Sequence, residues 1–214
     1  MEPSSREKIL EVAEARFAQR GFAGVGMREV ALAAGLGKSS LFHHFKAKVD
    51  LYVAVIERVI ARIEVHVLPA LARPGPVLAQ IDGAVDALID ALAEHPTTAR
   101  LLLRSLVEDD AFAAAEPPGL AEVEARIHAL VGRFTTLLAG GVAAGELREV
   151  HAPDAVQTLI GATVYHFASG EFGETVLGGA VFSAEAVARR KREVKELMLH
   201  GLASPHAPKE RSPS

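Results

Sequence analysis

Apolar residues recur three or four positions apart along almost the whole chain, and this spacing constrains the fold more than any other feature of the sequence. It is the period of an α-helix with one buried face, whereas the alternation of β-branched and polar residues typical of half-buried strands is missing. The sequence therefore predicts an all-α fold of about nine helices. Charged residues interrupt every apolar run before it reaches the length that spans a bilayer, so we expect no membrane contact and a cytoplasmic location.

Capping residues and helix breakers give the expected ends of the helices. Ser4 and Glu7 have the spacing of a capping box, and Pro69 is expected to end the fourth helix. Residues 110–119 are expected to form a loop, and residues 170–179 a glycine-rich connection. The nine predicted helices cover residues 4–20, 27–34, 38–45, 47–68, 77–94, 97–109, 120–143, 153–169 and 184–202.

Charged residues are divided unevenly along the chain. Residues 1–48 hold 8 Lys and Arg against 5 Asp and Glu, whereas the remainder has a net charge of −7 and the whole chain −4. A local basic surface matters more for nucleic-acid binding than the total charge. We therefore predict a helix-turn-helix DNA-binding domain at 1–48, a helical regulatory, ligand-binding and dimerisation domain at 49–203, and a disordered tail at 204–214.

Two short predicted helices, 27–34 and 38–45, are joined by a turn that contains Gly35 and Gly37. Such a pair is typical of a helix-turn-helix, whose second helix enters the major groove of DNA. From spacing alone, the same residues also fit a solvated face on an ordinary helical hairpin. The candidate DNA-facing side chains are Ser39, Ser40, His43 and His44 on the second helix, and Lys46 and Lys48 after it.

The stretch from Arg6 to Leu51 resembles the DNA-binding domain of the TetR (tetracycline-repressor-like) family. The matching residues are Ile9-Leu10, Ala13, Phe17, Gly21-Phe22, Met27-Arg28-Glu29-Val30-Ala31, Ala34-Gly35-Leu36, Lys38-Ser39-Ser40-Leu41-Phe42-His43-His44-Phe45 and Lys46-Ala47-Lys48. The resemblance implies that the residues at or near DNA are Arg28, Lys38, Ser39, Ser40, Phe42, His43, His44 and Lys48.

Four positions depart from the pattern of the family. Phe42 stands where the family often has Tyr, so a hydroxyl-to-phosphate bond is lost. Gly26 replaces the usual Ser or Thr cap of the second helix, and Ala47 and Val49 replace a polar cap and an acid before the long helix. A cap is worth about 1 kcal/mol, so these helix starts are expected to be less fixed.

The resemblance also implies a bacterial homodimeric regulator, a repressor by family habit, that a small molecule releases from a palindromic operator. The effector is expected to be largely apolar and to bind inside the helical body. The candidate pocket residues are Leu102, Leu106, Phe112, Phe134, Leu138, Tyr165 and His166. Taken alone, each of them fits an ordinary core position better than a pocket, so the prediction rests on the set as a whole.

The predicted helix 153–169 is apolar around almost its whole circumference, which indicates burial on more than one side. We expect its second side to face another subunit, in a four-helix bundle with the helix 184–202. The candidate interface residues are Leu159, Ala162, Thr163, Phe167, Val194, Leu197 and Met198.

Several other classes of protein are disfavoured by what the sequence lacks. It has no cysteine, which excludes disulfides and thiolate chemistry, and its nine histidines do not cluster. No Gly-x-Ser-x-Gly, His-Glu-x-x-His or phosphate-binding glycine loop is present, so we predict no catalytic residues, no metal and no cofactor. The acidic body opposes an architectural DNA binder. The alternative that stays open is a helical ligand-binding protein or enzyme without sequence-specific DNA binding.

Overall fold

The computed structural model describes residues 4–107, 117 and 119–203, which form ten helices. They are α1 (Ser5–Arg20), α2 (Met27–Ala33), α3 (Lys38–His44), α4 (Lys48–Leu71), α5 (Val77–Glu94), α6 (Pro96–Val107), α7 (Leu120–Ala143), α8 (Ala152–Ala168), α9 (Gly170–Leu177) and α10 (Ala184–Leu202). Within these ranges the β-structure amounts to an isolated bridge between Leu147 and Ala203. The all-α prediction is confirmed.

Most helix ends lie within one or two residues of the predicted ones, because the capping chemistry is local. The Glu7 amide donates to the Ser4 hydroxyl (3.2 Å) and the Ser4 amide donates to the Glu7 carboxylate (2.8 Å), which completes the capping box of α1. The predicted loop 110–119 and tail 204–214 lie outside the described residues, apart from Pro117 and Gly119.

Two predictions about the helices were wrong. Pro69 does not end α4, which continues to Leu71. A proline so close to the end of a helix removes a single backbone hydrogen bond, and its fixed φ is already helical. The glycine-rich stretch is not a plain connection but contains α9, a tenth helix. Gly170 and Gly178, with φ of 57° and 70°, lie at the two ends of α9.

Helices α1–α3 form a small unit that we call the head. Its core is made of side chains that are almost completely buried, among them Ile9, Phe17 and Leu41. The rings of Phe17 and Tyr52 meet edge to face with centroids 5.0 Å apart, which attaches α1 to the first turns of α4. The orientation of the head therefore depends on the position of α4.

Helices α4–α10 form the body. Helix α4 packs against α5 and α7, and α6 packs against both α8 and α1. Helix α10 is fixed to α5 by a row of ion pairs, in which Lys195 contacts Asp82 (2.9 Å) and Asp86 (3.0 Å). None of the described helices combines the length and the apolar content needed to cross a bilayer.

Candidate nucleic-acid interface and internal cavity

Helices α2 and α3 meet through a tight turn of four residues, 34–37. Gly35 adopts a φ of 69°, in the left-handed region that favours glycine. The Leu36 amide then donates to the Ala31 carbonyl at 2.9 Å, which closes the end of α2. A turn of this length that contains glycine is typical of a helix-turn-helix.

Burial of one side of α3 leaves the other side at the surface. Leu41 and Phe45 are buried in the head, whereas Ser40 and Phe42 are half-buried. Helix α3 has seven residues and is about 10 Å long, short enough to lie within a major groove. The exposed side chains are Lys38, Ser39, His43 and His44, four of the positions predicted to face DNA.

The charge around α3 suits a polyanion. The helix carries no carboxylate, and the Lys38 amine lies 5.5 Å from the centre of the Phe42 ring. On the neighbouring helix Arg28 is exposed, and the adjacent Glu29 is neutralised by ion pairs with two arginines of α1, Arg16 and Arg20. The cations of α2 and α3 are therefore free to meet phosphates.

The starts of α2 and α4 were expected to be less fixed because both lack the usual capping side chain, and the structure agrees with this for α2 only. No side chain caps α2 at Gly26. At the start of α4, however, the Ala47 amide donates to the Asp50 carboxylate at 2.9 Å. The missing acid at Val49 is therefore replaced by Asp50, which lies at the third position of the helix, where a capping acid belongs.

Lys48 occupies a more enclosed position than the sequence indicated. Its amine donates to the Phe22 carbonyl at 2.9 Å and lies 4.3 Å from the centre of the Phe22 ring. Lys46 is exposed, and its amine is 3.3 Å from the Phe42 carbonyl. Lys48 thus ties the start of α4 to the turn after α1, and a contact with phosphate stays a prediction.

We expect Lys48→Met to reduce affinity for all DNA sequences and to lower the stability of the head. Each phosphate contact that is lost corresponds to a decrease of about 1 in the slope of log K against log salt. Loss of the bond to Phe22 adds about 1 kcal/mol of destabilisation. Shift assays at several salt concentrations and thermal unfolding measure the two effects.

Arg192→Met, at an exposed cation of α10, is the control. An unchanged slope with lower stability would refute the phosphate contact.

The body encloses a cavity of about 150 Å³ between α4, α5, α6, α7 and α8. Apart from the hydroxyl of Ser105, the side chains of the described residues that line it are apolar. The lining residues are Ile60, Ile63, Val67, Leu88, Leu102, Ser105, Ile127, Leu130, Val131, Phe134, Val156, Leu159, Ile160 and Val164. Most of them were not among the candidates, because their spacing is that of an ordinary core.

The candidate pocket residues are divided by the structure. Leu102 and Phe134 line the cavity, whereas Leu138 is buried elsewhere and Tyr165 is 54% exposed. His166 is half-buried outside the cavity; burial, followed by the charges of the nearby Arg190 and Arg189, lowers the pKa of its ring to about 4. Phe112 and the side chain of Leu106 lie outside the described residues. In the described ranges no cluster of three His, Asp or Glu side chains can hold a metal ion.

The candidate interface residues are divided in the same way. Ala162 and Met198 are half-buried and Leu197 is 75% exposed. The other four, Leu159, Thr163, Phe167 and Val194, are buried within the chain. They support α8 and α10 from beneath and present no surface to another molecule. The exposed large apolar side chains of α8–α10 are Tyr165, Phe172, Val176, Leu177 and Leu197.

Two family models match the chain. The first, "Bacterial regulatory proteins, tetR family", matches residues 9–55, and the second, "Tetracyclin repressor-like, C-terminal domain", matches residues 78–198. The two matches include α2–α3 and much of the cavity wall.

Similar proteins extend over nearly the whole chain. The HTH-type transcriptional regulator RutR of Escherichia coli (strain K12) is 25% identical over 200 residues, which cover 93% of this chain and 91% of RutR. The ketosteroid transcriptional regulator KstR2 of Mycobacterium tuberculosis has a similar structure, with a TM-score of 0.75, 19% identity and coverage of 95% and 97%. AibR, solved in complex with isovaleryl coenzyme A and operator DNA, gives a TM-score of 0.72, 18% identity and coverage of 94% and 100%.

Proposed function

The chain belongs to the tetR family of bacterial regulatory proteins, and from this premise we propose that it is a cytoplasmic homodimeric repressor that a small apolar molecule releases from a palindromic operator. It is a DNA-binding transcriptional regulator of the helix-turn-helix type. One observation carries the proposal. The same chain has an exposed helix α3 without carboxylate side chains and an apolar cavity between the helices of the body. Selection of a bound site from random DNA by the purified protein tests it.

The operator is expected to be two-fold symmetric, because two identical heads related by a dimer axis read two identical half-sites. Ser40 and His43 are proposed to contact base edges, and Lys38 and Arg28 to contact phosphates. AibR has been captured with both a small molecule and operator DNA. We propose that this chain likewise binds both a small-molecule effector and an operator, and we do not transfer the identity of either from AibR.

The exposed apolar side chains of α8–α10 support the proposed dimer. Large apolar residues are uncommon at the surface of a monomer when several occur close together in sequence, as Phe172, Val176 and Leu177 do. A groove of about 450 Å³ between the start of α8 and the end of α10 is lined in part by Leu197 and Met198. A second copy that packs α8 and α10 against their counterparts buries these groups.

Leu197→Glu is expected to convert the protein to a monomer at micromolar concentration. A carboxylate buried in an apolar interface has no partner, and the two-fold axis places two of them there, so dimerisation should weaken at least about a hundredfold. Light scattering measures the mass. Leu32→Glu, at a leucine of α2 that is 79% exposed, is the matched control and should leave the dimer intact. A Leu197→Glu protein that stays dimeric would place the interface elsewhere.

The cavity defines the expected chemistry of the effector. Among the described residues that line the cavity no side chain is charged, and an ion without a partner is costly to bury. The Ser105 hydroxyl donates to the Leu102 carbonyl (2.9 Å), so its oxygen is left to accept a hydrogen bond. We therefore propose a neutral effector whose buried part is apolar, with one hydrogen-bond donor directed at Ser105.

Benzene and phenol are expected to bind and to raise the melting temperature, since apolar cavities of about 150 Å³ bind benzene. Benzoate, which is charged, is not expected to bind. Ser105→Ala should weaken the binding of phenol about fivefold, because one hydrogen bond is worth about 1 kcal/mol. Benzene, which makes no such bond, is the internal control. Calorimetric titration of both proteins measures the difference. Equal binding of benzoate, or an unchanged ratio of phenol to benzene in the variant, would contradict this chemistry.

A further inference from the structure

Glu14 is a buried carboxylate at the junction of three helices. It lies on α1 and is 6% exposed. Its two oxygens accept hydrogen bonds of 2.7 and 2.6 Å from Arg62 of α4, and one of them accepts a third, of 2.6 Å, from the Thr97 hydroxyl of α6. The nearest further cation is Arg58, whose Nε is 3.8 Å from the carboxylate. This arrangement joins the head to two helices of the body.

The carboxylate is ionised at neutral pH. Burial by itself raises the pKa of Glu14, but the hydrogen bonds from Arg62 and Thr97, together with the positive charges of Arg62 and Arg58, outweigh burial and hold the pKa below its usual value. A buried charge requires such partners. Because these hydrogen bonds are directional, small displacements of the helices that carry the donors weaken them.

Helix α6 is shared between this junction and the cavity. Thr97, in its first turn, contacts Glu14, and Leu102 and Ser105 line the cavity about 8 and 12 Å further along the helix axis. At the same side of the head, an Arg104 nitrogen lies 3.5 Å from the Gln19 carbonyl of α1. A molecule in the cavity therefore contacts the same helix that hydrogen-bonds the head.

We propose that the hydrogen bond from Thr97 to Glu14 is the link through which an occupied cavity changes the position of the head. The inference rests on the ligand-responsive function proposed above and identifies the contact that carries the response. When α6 shifts, the bond to Thr97 is lost while Arg62 keeps Glu14 paired, so that this contact between the head and α6 breaks without the exposure of a buried charge. Packed helices move between discrete arrangements, which makes such a bond either formed or broken.

The neighbouring threonine provides a matched comparison. Thr98 is completely buried on the same helix, and its hydroxyl makes no hydrogen bond within the described part of the chain. Thr97→Val and Thr98→Val remove the same hydroxyl from adjacent positions. Of the two changes, the first alone breaks a contact with the head.

A larger side chain in the cavity serves as a probe that requires no knowledge of the effector. Ser105→Phe occupies the space from α6, and Val131→Phe, from α7, replaces it if the first variant does not fold by circular dichroism. The operator is the sequence that the wild-type protein selects from random DNA. Its dissociation constant is measured by shift assay for the wild type, each single variant and the combinations.

We expect the filled cavity to weaken operator binding about tenfold or more in the wild type and in Thr98→Val, in the range of typical allosteric couplings. In Thr97→Val the same substitution should change affinity less than threefold. An equal loss in the Thr97→Val and Thr98→Val backgrounds, or no loss in the wild type, would overturn the link. Failure to select any operator is a separate result, because it refutes the proposed regulator itself.

Discussion

Glu14→Ala is expected to lower the free energy of unfolding by about 3 kcal/mol or more. The substitution leaves the guanidinium of Arg62, which is 17% exposed, without its partner, and removes the acceptor of the Thr97 hydroxyl. Removal of one member of a buried ion pair costs more than the pair contributes, because the remaining charge stays desolvated. Urea unfolding at pH 7, followed by circular dichroism, measures the loss.

Two further variants separate this effect from a general weakening of α1. Glu11→Ala, on the exposed side of the same helix, should change stability by less than about 0.5 kcal/mol. The double variant Glu14→Met/Arg62→Met replaces the pair by apolar side chains of similar length and should recover most of the stability. If the free energy of unfolding of Glu14→Ala lay within about 1 kcal/mol of the wild-type value, the side chain of Arg62 would have to move into solvent, and the junction would not be rigid.

His43→Ala is expected to weaken operator binding about thirtyfold or more. A lost contact with a base costs about 1–3 kcal/mol, and a dimer on a symmetric site loses it twice. Selection repeated with the variant should also yield a relaxed preference at one position of each half-site. Because the histidine is exposed, stability should not change.

His200→Ala, at an exposed histidine of α10, is the matched control for this variant and should leave binding unchanged. Shift assays with the selected operator and with unrelated DNA measure specificity as the ratio of the two dissociation constants. A parallel loss for both DNAs would contradict the assignment of His43 to a base, because phosphate contacts weaken all sequences alike.

Local chemistry made much of the fold predictable. The capping box at Ser4 and Glu7 defines the start of α1, and the bounds of α5, α7 and α10 agree with the predicted ranges. These features depend on neighbours in sequence, which periodicity and capping rules describe. The error at Pro69 has the opposite origin, since the packing of α4 in the body outweighs one lost hydrogen bond.

The sites were predictable to different extents. The exposed side of α3 follows from a short motif in which the turn determines the geometry, whereas the cavity gathers residues from five helices. Helix α8 is apolar around almost its whole circumference, so the sequence could not distinguish its inner residues from those that face outward. Leu159 and Phe167 are buried within the chain. The contact between Glu14 and Thr97 joins residues 83 positions apart and leaves no periodic signal.

The most direct test of the proposed regulator is selection of bound sequences from a random DNA pool by the purified protein, followed by shift assays at two salt concentrations. We predict enrichment of a two-fold-symmetric site, with affinity that falls steeply as salt increases, because many of the contacts are with phosphates. Unfolding and refolding before the selection removes any co-purified effector that holds the released state. Failure to enrich any sequence after that treatment would contradict sequence-specific DNA binding, and with it the proposed function.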